Sequence, residues 1–261
     1  MNLVQEQTVG AVQPPVLAVV GIEKSYGGGP RVLSGVEFAV PKGELLGVIG
    51  PNGSGKTTLF GVVSGQLRPD AGSVLVDGED VTRLSAAQRA CKGVGRTFQV
   101  PQSFQRMSVY ENLLVGARFA AGLGARAAEQ YVLQVLKQTG FANKADMLAG
   151  NLPLLDRKRL ELARALATRP KLLLLDEIAG GLTDDEAHEI AATVAEINKS
   201  GVTVIWIEHL VHVLTSTARS LIVLGEGRIL AQGEPGQTMA TPTVRQLYLG
   251  MEPEIDGPLC P

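Results

Sequence analysis

The stretch GPNGSGKTT at residues 50–58 matches the spacing G-x-x-x-x-G-K-[ST], with Gly50, Gly55, Lys56 and Thr57 at the fixed positions. Its chemistry is phosphate binding. Glycines let the backbone from Gly50 through Pro51, Asn52, Gly53 and Ser54 to Gly55 curl, so that N–H groups converge on phosphate oxygens. A helix starting there adds its positive end. Lys56 supplies a mobile charge for β- and γ-phosphates, Thr57 offers a hydroxyl to Mg²⁺, and Thr58 completes the set. A second group, LLLLDE, ends in Asp176 and Glu177. Asp176 is suited to the shell of Mg²⁺, and Glu177 to positioning or activating the attacking water. The two motifs together predict Mg-nucleotide hydrolysis or exchange.

Both motifs need strands behind them, because ligands in open α/β sheets bind beyond the carboxyl ends of the strands. The run LLGVI precedes the glycine-rich loop, and KLLLL (171–175) precedes Asp176; each suits a fully buried parallel strand. Upstream, VLAVVGI and GVEFAV read as strands, and SVLVDGEDV as a hairpin turning at Asp77-Gly78. The chain turns helical between about 105 and 150. Ser108 and Glu111 form a capping box, and a helix over about 126–139 stops at Gly140. Thr183 and Glu186 cap another helix, VTVIWI (202–207) is a further buried strand, and LIVL-GEG-RILAQG a closing hairpin. The expected fold is α/β: a P-loop NTPase (RecA-like) parallel-sheet core with an N-terminal antiparallel β region and a helical insertion. The expected organisation is a lead-in over 1–15, one ATPase domain over 16–250 with a helical subdomain at about 100–168, and a tail over 251–261.

Composition bounds the function class. A chain of 261 residues, 45% apolar and 19% charged, is globular, and a formal net charge of −2 offers no bulk attraction for nucleic acid. Cys91 and Cys260 lie too far apart to form a metal-ligand pattern or a disulfide framework. No apolar run reaches the roughly 18–20 residues of a membrane helix. The segment MNLVQEQTVGAVQPP lacks the layout of a secretory signal. The expected location is the cytosol, or a membrane surface without entry. Asn143-Lys144-Ala145-Asp146 fits the N-K-x-D guanine-reading pattern, but it follows a helical, glycine-stopped segment rather than a buried strand, and reads as coincidence.

With the residues further along, the chain resembles an ABC-transporter ATPase subunit over nearly all of 16–250. Within that family it is most similar to the ATPases of branched-chain and related polar amino-acid importers, through GRTFQ, MSVYENLLVG, IEHLVHV and LYLG. The resemblance implies that Tyr26 stacks on adenine, a contact worth about 1–3 kcal/mol. It implies that Gln99 reaches the Mg²⁺ and the lytic water, and that His209 is the switch histidine at the γ-phosphate. The stretch GGLTDDE (180–186) corresponds to a loop that crosses to a partner, with Thr183 where the family often has Asp or Asn. His188 and His212 read as surface residues, and Trp206 as packing.

The resemblance also marks a departure. The family's signature loop, usually L-S-G-G-Q, is here Leu152-Pro153-Leu154-Leu155-Asp156. In the family this loop faces the ATP of the second subunit of a head-to-tail pair. Pro153 has neither hydroxyl nor N–H, and Leu155 carries a side chain where backbone must approach and resists left-handed φ. Asp156 would set a carboxylate near a polyanion, with Arg157, Lys158 and Arg159 offsetting the repulsion. A homodimer would have this loop at both sites, so the expected partner is a different ATPase subunit. The further partners implied are integral-membrane permeases and, indirectly, an extracytoplasmic solute-binding protein. The implied location is peripheral, on the cytoplasmic face of the inner membrane. A soluble nucleotide switch of the same fold, serving a non-membrane complex, stays open as another class, as does a scaffold that binds without hydrolysis. Intact Glu177 and His209 argue against the scaffold.

Overall fold

The computed structural model describes residues 14–249. The lead-in up to residue 13 and the tail from residue 250 lie outside the described residues. Among the described residues, ten strands form two sheets. Strands β1 (Leu17–Ser25), β2 (Arg31–Val40), β4 (Ala71–Val76) and β5 (Glu79–Asp80) make an antiparallel sheet in the order β2-β1-β4-β5. The second sheet contains β3 (Leu45–Ile49), β6 (Val94–Arg96), β7 (Leu172–Asp176), β8 (Thr203–Ile207), β9 (Ser220–Gly225) and β10 (Arg228–Gly233). Its order is β10-β9-β3-β8-β7-β6, parallel throughout except for the β9–β10 hairpin.

Strand periodicity explains the two cores. Leu46 and Val48 of β3, Leu172 and Leu174 of β7, and Ile205 and Ile207 of β8 face the antiparallel sheet and helix α1 (Lys56–Ser64). The alternating residues Leu45, Ile49, Leu173, Leu175, Val204 and Trp206 face the other helices. These are α3 (Val109–Val115), α4 (Ala125–Gln138), α5 (Leu154–Ala167), α6 (Asp184–Lys199) and α7 (Val211–Thr217). The short α2 (Ala86–Cys91) lies between β5 and β6.

The local signals are seen where the sequence places them. Ser108 with Glu111 and Thr183 with Glu186 form complete capping boxes, and Gly140 ends α4 in the left-handed region. Asp77-Gly78 and Glu226-Gly227 both take positive φ at their hairpins, as the favoured two-residue turn requires. The sequence reading has no helix beyond Gly233, but α8 (Pro235–Ala240) and α9 (Pro242–Leu249) follow it. Here Glu234 caps α8 by accepting from the Gly236 and Gln237 amides, an acidic cap outside the usual Ser/Thr/Asp/Asn set.

One buried cation secures the glycine-loop helix. Arg89 is fully buried and donates to Val62 O, Val63 O, Thr82 O and Leu84 O, at 2.7, 2.8, 2.9 and 3.3 Å. Two of these are end carbonyls of α1, which have no partner within the helix. Replacing Arg89 by methionine keeps most of the volume and takes the donor from Val63 O, Thr82 O and Leu84 O, while Val62 O keeps the Gly65 N–H at 3.2 Å. The expected loss is about 2 kcal/mol in urea unfolding, with the slope unchanged.

Candidate nucleotide site

Three loops meet because their strands are neighbours. In the parallel register Arg96 lies beside Leu174, and Asp176 beside Ile207. Residues 97–99, 177 and 208–209 therefore leave the sheet side by side. The glycine-rich loop leaves β3, which pairs with β8 on one side and β9 on the other.

The loop is built as a cradle. Gly53 and Gly55 take φ of 81° and 103°, open to glycine at little cost. A Cβ on Gly50 would lie 2.2 Å from Leu224 O, so the backbone there packs directly on β9. No side chain caps α1, which leaves its first-turn N–H groups facing the loop. The Ser54 hydroxyl is buried and finds no partner among the described residues, the mark of an oxygen awaiting a ligand. Lys56 is buried and folds back to donate to Gly50 O (2.8 Å) and Pro51 O (3.0 Å). Burial pushes its pKa down, while Glu177 and Asp176 act in the opposite direction. The cleft runs from Val32 across this loop to Glu177. Beside it, the Tyr26 hydroxyl lies 3.3 Å from Thr58 Oγ1, and its half-exposed ring stands next to the loop.

Asp176 closes β7 and is buried. Arg96 donates to its Oδ2 at 2.8 Å, and its main-chain N–H donates to Thr97 Oγ1 at 3.0 Å. Burial raises the Asp176 pKa, and Arg96 opposes that rise. Glu177 follows with φ of +48°. Both its carboxylate oxygens are engaged: Gln99 Nε2 donates to Oε2 at 2.6 Å, and His209 Nε2 lies 2.7 Å from Oε1. The structure thus brings Gln99, Glu177 and His209 together at the edge of the cradle. Thr57, Asp176 and Gln99 offer the hard oxygen donors that suit Mg²⁺.

The loop at 152–156 needs correction. Asp156 does not face outward. It is buried and pairs with Lys144 Nζ at 2.5 Å, with Arg159 at 3.9 Å. The cations after it do not offset its charge at a ligand. Arg157 donates to Leu152 O and Gly150 O, Lys158 is buried, and Arg159 pairs with Glu189. Leu155 is helical and packs on the core, so no left-handed φ is asked of it. Leu152 is buried, Pro153 stands at the N-cap of α5 without a side-chain cap, and Leu154 is exposed. Lys144 of the N-K-x-D stretch is thereby a structural partner of Asp156.

Four residues at the site lie outside the sequence reading: Arg96, Thr97, Glu208, and Lys158 in its buried role. Arg96 and Thr97 sit inside GRTFQ and Glu208 beside His209, so adjacency was the available signal. Trp206 is fully buried and donates to Glu208 at 3.2 Å. His188 and His212 sit together on the surface, ring centres 5.8 Å apart.

Residues 33–180 match the family described as ABC transporter, more than half of the chain. The chain belongs to the ABC transporter family. It is 36% identical over 251 residues to the high-affinity branched-chain amino acid transport ATP-binding protein BraF of Pseudomonas aeruginosa, covering 90% of this chain and 98% of that protein. It is 33% identical over 235 residues to the lipopolysaccharide export system ATP-binding protein LptB of Haemophilus influenzae, covering 90% and 97%. Among solved structures it superposes on the ADP conformation of an ATP-binding cassette of an ABC transporter with a TM-score of 0.82 and 32% identity, covering 91% of this chain and 99% of the other. This ABC protein is therefore an ATP-binding, ATP-hydrolysing subunit with the P-loop NTPase fold. Among its described residues, no helix is long and apolar enough to cross a membrane.

Proposed function

We propose that this ABC subunit drives an importer of branched-chain or related amino acids, docked on permeases at the cytoplasmic face of the inner membrane. An extracytoplasmic binding protein would deliver the solute. The observation that carries the chemistry is the meeting of Gln99 and His209 on the two oxygens of Glu177, beside the cradle of Lys56. Tyr26 stacks on adenine, residues 50–58 hold the phosphates, and Thr57, Asp176 and Gln99 hold Mg²⁺. When bound there, the metal would supply charge neutralisation for the phosphates. Glu177 orients the attacking water, and His209 answers the γ-phosphate. The likeness to BraF favours import, whereas the likeness to LptB favours a second reading, export of lipopolysaccharide. Uptake of labelled leucine by vesicles holding the reconstituted complex separates the two; no uptake overturns the import reading.

We infer further that the working pair is asymmetric. With Asp156 turned inward, the loop presents no repelling carboxylate, yet Pro153 and Leu154 supply no hydroxyl and no small residue for close approach. Each lost charge-assisted bond to phosphate costs about 1.5–3 kcal/mol. Mg-ATP hydrolysis by this chain alone is expected to run at least tenfold slower than in the complex with a second, different ATPase subunit. Equal rates would overturn the asymmetric pair.

A further inference from the structure

Lys158 lies in the second turn of α5, two residues past Asp156, and is buried. A buried ammonium is costly unless its protons are placed. Two of them go to main-chain carbonyls on different loops: Gln99 O at 3.0 Å and Glu177 O at 3.2 Å. These are the two residues whose side chains then bond each other at 2.6 Å. Burial pushes the Lys158 pKa down, while Glu208, Glu177, Glu161 and Asp176 act in the opposite direction.

Glu177 needs such support. A non-glycine residue at φ +48° persists only when its surroundings over-determine it. Its N–H donates to Ile207 O at 2.9 Å, and its carbonyl accepts from Lys158 and, at 3.3 Å, from the Gly180 N–H. Two residues past Glu177, the Ala179 N–H donates to the buried Glu208 carboxylate at 2.7 Å. Of these contacts, only the one from Lys158 comes from the helical insertion.

We propose that Lys158 is a positioning residue for ATP cleavage: it holds the Gln99 and Glu177 backbones in the register that lets their side chains meet. Through it the orientation of α5, whose first turn carries the signature-like loop, sets the placement of the Glu177 carboxylate. A shift of α5 by a second subunit would reach the water-orienting group through this ammonium as well as through the apolar packing of α5 on β7. The proposal rests on the reading of Glu177 as the water-orienting residue.

The test compares Lys158→Met, Lys158→Arg and Glu177→Gln in the full chain with its partner subunits. It reads kcat, KM for ATP, Kd for Mg-ADP, and hydrogen exchange of the Glu177, Ala179 and Gly180 amides. Methionine keeps the length of the stem and removes the donors. Lys158→Met is expected to lower kcat tenfold to thirtyfold, to leave Kd within twofold, and to speed exchange at those three amides while the β7 amides stay protected. Lys158→Arg, which keeps the donors, is expected to return kcat to within threefold of the parent. An unchanged kcat and unchanged exchange in Lys158→Met overturns the proposal. A kcat loss matched by equal losses in Kd and melting temperature also overturns it, because that is a merely structural role. Glu177→Gln separates the two levels. If it turns over ATP like the parent, the reading of Glu177 falls. If it is inactive while Lys158→Met is unaffected, only the Lys158 proposal falls.

Discussion

Replacing Glu177 by glutamine is expected to lower ATP turnover by about 10²–10⁴-fold, with nucleotide affinity changed only a few-fold. Glutamine matches glutamate in size but cannot take a proton. It also cannot satisfy both neighbours. The carboxylate accepts from Gln99 at 2.6 Å and has His209 Nε2 2.7 Å from its other oxygen, whereas an amide has one accepting oxygen and turns donor hydrogens toward the other neighbour. Affinity is expected to be spared because the proposed phosphate contacts belong to the loop at 50–58, with Glu177 only at the rim of the cleft. Single-turnover hydrolysis measured beside equilibrium Mg-ATP binding distinguishes the two quantities. A parallel loss of binding would mean that Glu177 helps hold the nucleotide rather than cleave it.

Replacing Arg96 by methionine is expected to destabilise the fold by about 3–5 kcal/mol at pH 7, measured without nucleotide or metal. The guanidinium links three elements. It donates to Asp176 at 2.8 Å, to Ser64 Oγ at the end of α1 at 2.9 Å, and to Gln66 at 2.6 Å, and it lies near the Phe60 and Phe98 rings. Side-chain exposure in the ion pair is 9% for Arg96 and 5% for Asp176, so water does not screen it. Without its partner, Asp176 becomes a buried, uncompensated carboxylate. The pH dependence has a definite sign. Burial already raises the Asp176 pKa, and losing Arg96 raises it further. A carboxyl whose folded pKa lies above its unfolded value favours the folded state at low pH and loses that benefit as pH rises. The deficit of the variant therefore shrinks as pH falls from 7 towards 5. Urea unfolding at the two pH values checks this; a deficit independent of pH would assign the loss to packing alone.

Legibility in the sequence follows the range of the interaction. The cradle at 50–58 is one contiguous segment whose glycine positions encode its own curvature. The capping boxes at Ser108 and Thr183, the Gly140 helix stop and the Asp77-Gly78 turn each involve residues within a few positions of one another. Their geometry is a local property, and it appears where the residues stand. The apolar runs of β3, β7 and β8 marked buried parallel strands for the same reason.

The catalytic surroundings are of another kind. Gln99 meets Glu177 across 78 positions, Arg96 meets Asp176 across 80, and Lys158 meets Gln99 across 59. Apart from the place of Arg96 inside GRTFQ, nothing near Arg96 or Lys158 in the chain distinguishes them from surface cations. Only the order of β6, β7 and β8 and the packing of α5 against them decide that these side chains are buried and where their protons go. Asp156 shows the same point through an error. Read from its neighbours it faces a nucleotide, but twelve positions back Lys144 stands close enough in space to turn it inward. The sequence by itself determined the glycine-rich loop at 50–58, the carboxylates at the end of β7 and the α/β layout, because these depend on short-range geometry and strand burial. Tertiary structure alone decided which charges are paired, and so which groups remain free for a ligand, because desolvation and ion pairing depend on distances that the folded sheet creates.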